Sequence, residues 1–246
     1  MKPVLVVKVG TSTLLSAEEA PSSTFDRVAA SITALKAEYN IVLVTSGAIG
    51  FGVTQMQLNR RPQEVARLQA LSMIGQVGLL RRWREAFEGT TIGQVLVTRQ
   101  DLHHTVSKAN LTQSLQRMWE YGAVPVVNEN DAVSFDEITF GDNDQLAANV
   151  AVALGAKYLV LLTDQDGIQA NFGTPDQKRV ELVTLAEAQK HVMPVKSTAG
   201  KGGADSKVMA AGTALAAGVG VYIGHATVKG SIEAILAGQS GTKIVQ

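Results

Sequence analysis

Six short apolar runs, rich in valine and leucine, alternate along the chain with longer stretches of helical periodicity. The runs are PVLVVKV at 3–9, IVLVTS at 41–46, GQVLVT at 93–98, AVPVVN at 123–128, YLVLLT at 158–163 and VGVYIG at 219–224. Such runs are typical of parallel strands that are buried on both faces and joined by crossover helices. The pattern predicts an α/β fold.

The stretches between these strands predict the helices and loops. Helices are expected at 24–38, 63–87, 106–121, 143–154, 205–217 and 229–237. A long loop or hairpin is expected at 128–144 and a mobile glycine-rich segment at 193–207, because neither stretch suits a helix or a strand. No linker or internal repeat divides residues 1–246, so we predict one domain whose lobes share a sheet.

Composition excludes several classes of function. The 22 basic and 22 acidic residues balance, which leaves no overall electrostatic footprint for nucleic acid or an anionic membrane. The chain has no cysteine, which excludes disulfides and thiolate chemistry, and its four histidines show no metal-ligand spacing. No apolar run is long enough for a signal peptide or a membrane span. We therefore expect a cytoplasmic protein whose partners are small molecules.

Polar residues follow the predicted strands at their carboxyl ends, which is where open α/β sheets bind ligands. Lys8 lies near the end of the first predicted strand and Gly10 follows it, while Ser46 ends the second predicted strand and Gly47 follows it. Lys8 is either a snorkelling side chain or a point charge beside a phosphate that the backbone at Gly10 would admit. Ser46 and Gly47 either cap a helix or offer a hydroxyl and a tight backbone to a ligand. The first turn matches neither the P-loop pattern nor GxGxxG.

Three later segments carry similar polar groups. Asn128 and Asp131, in VVNENDAV, either form a polar turn or bind the carboxylate and ammonium of an amino acid. Thr163 and Asp164, in LLTDQDG, either form a type I turn or contact a nucleotide. Lys207, after AGKGGADS, belongs either to a surface loop or to a loop that covers a phosphate.

The segment FGDND, at 140–144, sets two carboxylates and a carboxamide directly before an apolar helical stretch. A solvated polar turn would account for such residues. Inward-facing acids would instead hold a positively charged group.

Eight segments, taken in order, resemble the amino acid kinase superfamily, and most closely its glutamate 5-kinase branch. They are VVKVGTSTL, VLVTSGAIGFG, MIGQVGLL, VLVTRQDL, VPVVNENDAV, FGDNDQLAANVA, LLTDQDGI and GKGGADSKVMAA, and they cover nearly the full length. The resemblance implies a three-layer αβα sandwich around a mainly parallel sheet of about eight strands. It also implies an amino-acid lobe at 1–155, a nucleotide lobe at 156–246, and ATP-dependent phosphorylation of the L-glutamate side chain, the first step of proline synthesis.

The resemblance assigns roles to individual residues. Lys8 and Lys207 would neutralise the phosphates and Asp144 would orient both lysines, while Asp142 is expected to be solvated. The residues that would contact glutamate are Ser46, Asn128, Asp131 and Asn143, and those that would line the phosphate path or the nucleotide are Gly10, Gly47, Thr163, Asp164, Gly202 and Gly203. No side chain is assigned to a metal, because Mg²⁺ would be held mainly by the phosphates of ATP.

Two features depart from the family pattern. Lys201 and Ala204 stand where many members carry a small hydroxyl residue and a methionine. The chain also ends at Gln246 without the RNA-modification-type domain that many relatives append, which resembles the shorter form of the enzyme. The resemblance further implies a homo-oligomer, either dimer or tetramer, with proline as a candidate feedback inhibitor and glutamyl phosphate reductase as a candidate pathway partner.

This reaction does not require the cysteine or histidine catalytic motifs that the chain lacks. A glutamate carboxylate has a pKa of about 4.3, so it is already an ionised nucleophile at neutral pH and needs no general base. Phosphoryl transfer then depends on positioning and electrostatic stabilisation. Three alternatives stay open: a sensing module of the same fold without turnover; a superfamily kinase for N-acetylglutamate, aspartate, carbamate or uridylate; and a dinucleotide-dependent oxidoreductase, which the absence of GxGxxG disfavours.

Overall fold

An eight-stranded sheet with helices on both faces forms the core of the chain in a computed structural model, which describes residues 2–15, 23–134, 143–192, 204–226 and 230–246. The predicted α/β class and the three-layer αβα arrangement are confirmed. One apolar core lies between one face of the sheet and the helices at 24–35, 65–86 and 231–236. A second lies between the opposite face and the helices at 105–120, 144–153 and 204–216.

Strands and helices alternate along the chain as the sequence predicts. The elements are β1 (Val4–Val9), α1 (Thr11–Leu15), α2 (Thr24–Leu35), β2 (Asn40–Val44), α3 (Ala48–Gln55), α4 (Val65–Ala86), β3 (Ile92–Val97), α5 (Arg99–His103), α6 (Thr105–Glu120), β4 (Val124–Glu129), α7 (Asp144–Ala153), β5 (Tyr158–Thr163), β6 (Gln169–Ala170), β7 (Lys178–Arg179), β8 (Leu182–Thr184), α8 (Leu185–Val192), α9 (Ala204–Ala216), β9 (Gly220–His225), α10 (Ser231–Leu236) and β10 (Thr242–Val245). Among the helices described, none combines the length and the low polarity needed to cross a membrane.

The strand order in the sheet is β3-β4-β2-β1-β5-β9-β10-β8. The first six of these strands are parallel to one another, whereas β10 is antiparallel to β9 and carries β8 in its own direction. The carboxyl ends of β1, β2, β4, β5 and β9 therefore meet at one edge of the sheet. β1 pairs with both β2 and β5, so the connections diverge on either side of it, and such a divergence opens a crevice.

All six predicted strands and all six predicted helices are present, with shifted ends. The second strand ends at Val44 rather than at 46, which leaves Thr45 and Ser46 in the turn before α3. The elements that sequence periodicity missed are α1, α3, α5, α8, β6, β7, β8 and β10. Most of them are too short to establish a period, because β6 and β7 have two residues each and β8 has three.

Alternation along β1 decides where Lys8 points. Leu5 and Val7 belong to the core beneath α2 and α4, whereas Val4 and Val6 belong to the core beneath α7 and α9. Successive side chains of a strand point to opposite faces, so Lys8 shares the face of Val4 and Val6. Its side chain is fully buried there. A lysine at this position therefore requires a partner from the helices on that face.

Two glycines let α3 and α4 approach backbone to backbone. An added Cβ at Gly75 would overlap the carbonyl oxygen of Ala48, and one at Gly52 would overlap that of Leu71. A side chain at either position would force the helices apart. The close approach fixes the height of Gln76, the residue after Gly75, against the carboxyl end of β4.

Candidate active site

Asp144 pairs with two lysines that come from different parts of the chain. The Nζ of Lys8 lies 2.6 Å from Asp144 Oδ1, and the Nζ of Lys207 lies 3.1 Å from Oδ2. The Lys8 and Asp144 side chains are inaccessible to solvent, and that of Lys207 is 11% exposed. Of these three side chains, only that of Lys207 reaches solvent. Ammonium groups that a carboxylate holds in place are suited to contact an anion such as a phosphate.

Ser206 adds a third contact to the same carboxylate. Its hydroxyl donates a hydrogen bond of 2.8 Å to Asp144 Oδ2. Ser206 was not predicted as a site residue, although it immediately precedes Lys207 in the first turn of α9. The only sequence feature at this position is a serine near a predicted helix start, and such a serine more often caps the helix.

Asn143 occupies the N-cap position of α7, but its side chain does not cap the helix. An asparagine at this position usually accepts from the helix backbone through its side chain, but Asn143 makes no such bond. Its Nδ2 instead donates to Thr45 O at 2.5 Å and to Asn128 Oδ1 at 2.7 Å. The first turn of α7 is thereby held against the ends of β2 and β4. Asp144, the next residue, gains stabilisation from the positive end of the helix dipole.

The carboxamide of Asn128 extends this network to α4. Asn128 Nδ2 donates to Gln76 Oε1 at 2.9 Å. Farther along α4, Trp83 Nε1 donates to Thr45 Oγ1 at 2.9 Å, and that hydroxyl donates to Ser46 O at 3.2 Å. Sequence reasoning did not assign Gln76, Thr45 or Trp83. Their roles depend on how α4 docks on the sheet, which no local pattern encodes.

Two buried polar atoms of the predicted glutamate site have no hydrogen-bond partner among the described residues. They are Ser46 Oγ and Asn143 Oδ1, on side chains that are 3% and 1% exposed. Leaving a buried polar atom unsatisfied costs about 1–3 kcal/mol, so these atoms mark positions where a polar ligand would be stabilised. Asp131, at 5% exposure, is a further buried polar residue just after β4.

Gly10 and Gly47 occupy positions where a side chain would interfere. A Cβ at Gly10 would lie 3.2 Å from the ammonium nitrogen of Lys8 and would crowd it. Gly47 precedes α3 with φ of 111°, a left-handed conformation that favours glycine. Both constraints are consistent with a backbone that a ligand could approach closely. The assignment of these glycines to a phosphate path stays a prediction.

The two aspartates of the turn after β5 differ in their contacts. Thr163 Oγ1 donates to Asp164 Oδ1 at 3.1 Å, and Asp164 is exposed at the carboxyl end of the sheet. Asp166 instead accepts from the backbone of Gly241 at 3.0 Å and lies 3.4 Å from the guanidinium of Arg179. Asp166 therefore fixes the turn, which leaves Thr163 and Asp164 as the residues of this motif that remain candidates for nucleotide contact.

Several predictions fall outside the described residues. They concern Gly202, Gly203, Asp142 and Lys201, together with the middle of the predicted loop at 128–144 and most of the predicted glycine-rich segment at 193–207. Ala204 is described, as the exposed first residue of α9. Within the described ranges, no group of three or more His, Asp or Glu side chains is arranged to hold a metal ion.

Comparison with known proteins adds independent findings. The sequence model of the amino acid kinase family matches residues 3–225. A glutamate 5-kinase from Gloeobacter violaceus is 41% identical over 248 aligned residues, which cover 97% of this chain and 67% of that protein. One from Mycobacterium tuberculosis is 41% identical over 236, covering 90% and 61%. The fold is similar to that of carbamate kinase from Giardia lamblia bound to AMP-PNP, with a TM-score of 0.70, 16% identity, and coverage of 99% of this chain and 98% of that one.

Proposed function

Because the chain belongs to the amino acid kinase family and, within it, to the glutamate 5-kinases, we infer that it transfers the γ-phosphoryl group of ATP to the side-chain carboxylate of L-glutamate. The product is L-glutamyl 5-phosphate, an acyl phosphate, and the reaction is the first step of proline biosynthesis. The structural observation that carries this inference is the pair of lysines on Asp144, next to the polar side chains gathered around Asn143.

Lys8 and Lys207 are assigned to the transferring phosphoryl group. In the transition state, negative charge spreads over the oxygens of the moving group, and fixed positive charges stabilise it most when they need no rearrangement. The carboxylate of Asp144 fixes both ammonium groups before substrate arrives, and burial keeps water from screening them. Asp144 itself needs to move no proton, because the glutamate carboxylate is already ionised.

The glutamate side of the site is assigned to Ser46, Asn128, Asp131 and Asn143. Asp131 is buried just after β4 and would accept hydrogen bonds from the α-ammonium. Ser46 Oγ lacks a partner among the described residues and would donate to a substrate carboxylate oxygen. The side-chain carboxylate of glutamate would then point toward the two lysines, where the phosphoryl group is received.

The nucleotide side of the site is assigned to Thr163 and Asp164, with Gly10 and Gly47 along the phosphate path and Gly202 and Gly203 near Lys207. We propose the division into an amino-acid lobe at 1–155 and a nucleotide lobe at 156–246, which would meet where β1 pairs with β5. Mg²⁺ would arrive on the ATP phosphates and offset their charge. The family alone supports a cytoplasmic homo-oligomer, with proline as feedback inhibitor and glutamyl phosphate reductase as pathway partner.

Trapping of the product tests this function. Purified protein with Mg-ATP and hydroxylamine should form a hydroxamate from L-glutamate roughly tenfold to a hundredfold faster than from N-acetyl-L-glutamate, because an acylated amine leaves a buried acceptor without its partner. L-Aspartate, which is one methylene shorter, should also be a poor substrate, since its carboxylate would not reach the transferring group.

Each alternative has its own outcome in that assay. Faster turnover of N-acetyl-L-glutamate would assign the chain to a different kinase of the family. Binding of ATP and glutamate without hydroxamate or ADP would indicate a sensing module. Either result would contradict the proposed function.

Asp131→Ala separates binding from chemistry. The substitution should raise the KM for glutamate by roughly tenfold to a hundredfold, because it removes an acceptor from the non-reacting amine. The kcat and the KM for ATP should stay within about twofold, since Asp131 is assigned to the non-reacting amine of glutamate. Steady-state kinetics with each substrate varied in turn measure this. An unchanged KM for glutamate would make VVNENDAV a structural turn.

A further inference from the structure

Three buried carboxamides form a chain from α4 to the proposed glutamate site. Gln76 Oε1 accepts from Asn128 Nδ2 at 2.9 Å, and Asn128 Oδ1 accepts from Asn143 Nδ2 at 2.7 Å. The three residues are 8%, 1% and 1% exposed. Gln76 has no role in the function proposed above.

The backbone sets the direction of this chain. Asn143 Nδ2 also donates to the carbonyl oxygen of Thr45 at 2.5 Å. A carbonyl oxygen can only accept, so the atom that reaches it must be the amide nitrogen of Asn143. The same nitrogen then donates to Asn128, whose own nitrogen is left to donate to Gln76. The orientation of all three carboxamides follows from that one carbonyl.

Helix α4 holds both acceptors of the Asn143 nitrogen. Gln76 binds Asn128, and Trp83, seven residues later on the same face of α4, donates to the side chain of Thr45. Both anchors are buried, and Trp83 is completely so. The close approach of α3 and α4 at Gly75 sets the position of the first anchor. Helix α4 therefore clamps the Asn143 carboxamide from two sides.

We propose that Gln76 is a positioning residue which, through Asn128, keeps Asn143 Oδ1 turned toward the substrate as a fixed hydrogen-bond acceptor for the α-ammonium of glutamate. The proposal rests on the function proposed above. Oδ1 is buried and has no partner among the described residues. The ammonium is the only hydrogen-bond donor on ionised glutamate, whereas both of its carboxylates only accept. A fixed acceptor thus selects the amino end of the substrate and repels a carboxylate in its place.

Gln76→Met tests the proposal, because methionine has a similar shape but lacks the amide oxygen that accepts from Asn128. Without that acceptor, Asn128 can rotate and the Asn143 carboxamide loses its fixed orientation. We expect the KM for glutamate to rise about tenfold, with kcat and the KM for ATP within about twofold. Gln113→Met makes the same substitution at an exposed position of α6 and should behave as wild type.

Glutarate distinguishes positioning from a general loss of stability. It has the carbon skeleton and both carboxylates of glutamate but no ammonium, and its Ki as a competitive inhibitor reports on the rest of the site. In Gln76→Met this Ki should stay within about twofold of wild type, because the lost interaction involves only the amine. An equal loss of affinity for glutarate and glutamate would overturn the proposal, as would an unchanged KM for glutamate.

Side-chain amide exchange gives a measurement that does not depend on turnover. In wild type, both Nδ2 protons of Asn143 are buried in hydrogen bonds, so their exchange with solvent, followed by ¹⁵N NMR, should be slow. In Gln76→Met the exchange should be at least about tenfold faster at unchanged global stability. Unchanged exchange would overturn the positioning role. Absence of glutamate phosphorylation by wild type would instead contradict the proposed function, and the exchange data would still report on the clamp.

Discussion

Asp144→Asn is expected to lower kcat by about 100-fold or more, with smaller changes in the KM for either substrate. The substitution keeps the shape of the side chain and removes its charge. Each carboxylate oxygen faces one lysine, at 2.6 Å and 3.1 Å. An asparagine would offer an acceptor to one lysine and direct an N–H donor at the other.

The loss follows from the electrostatics of the lysine pair. Two ammonium groups directed at one phosphoryl group repel each other, and the buried carboxylate between them offsets that repulsion. Without it, one lysine would move away from the other, since a buried cation without a partner is costly. The site would then need to reorganise during the reaction, and preorganisation is the main source of electrostatic catalysis.

Asp205→Asn is the matched control for this experiment. Asp205 lies in the first turn of α9, two residues before Lys207, and its side chain is exposed. The same change of charge there should leave kcat within about threefold of wild type, because solvent screens an exposed charge. Steady-state kinetics on both variants, below the melting temperature of each, decide the outcome. A fully active Asp144→Asn enzyme would contradict a catalytic role for Asp144 and would leave FGDND as a polar segment before a helix.

Sequence could identify the residues of the lysine cluster but not all of its contacts. Lys8 lies near the end of a predicted strand and Lys207 follows a glycine-rich stretch, and the family resemblance linked both to Asp144. The contact from Ser206 was missed, because it depends on the rotation of α9 about its axis. Gln76 and Trp83 were missed because their contacts depend on how α4 docks on the sheet, which no local pattern encodes.

The missed secondary structure has equally specific causes. Helix α3 contains Gly50 and Gly52, and glycine disfavours a helix by about 1 kcal/mol relative to alanine. Gly52 is nevertheless required where α3 meets α4, so tertiary packing outweighs intrinsic propensity there. Strand β10 has only four residues, and two of their side chains are buried. Because its partners β9 and β8 come earlier in the chain, no local sequence pattern predicts this strand.

The start of α7 joins the two halves of the proposed site. Asn143 belongs to the carboxamide chain and Asp144, the next residue, belongs to the lysine pair. Any shift of this helix start would move the glutamate and phosphate sites together. In the proposed site, adjacent positions in the chain would thus hold the attacking carboxylate and the stabilising charges close together, as in-line transfer requires.

Lys207→Met is expected to lower kcat by about 100-fold, because Lys207 is the member of the pair with solvent access and, in the proposed site, would contact the transferring phosphoryl group. Asp144 keeps its contact with Lys8 in this variant, so no buried carboxylate is left without a cation and the fold should persist. Lys207→Arg, which keeps the charge in a larger planar group, should retain more activity than Lys207→Met.

The double variant Asp144→Asn with Lys207→Met tests whether the two residues act as one unit. Independent residues would multiply their losses, to about 10⁴-fold in kcat, whereas groups that act together lose little more than either single variant. We expect a loss larger than about 100-fold but well below that product, because removing Lys207 also removes the repulsion that Asp144 offsets and leaves Asp144 only Lys8 to hold. Steady-state kcat values for wild type, both single variants and the double variant complete the cycle. A fully multiplicative loss would mean that Asp144 acts on the reaction by a route other than holding Lys207.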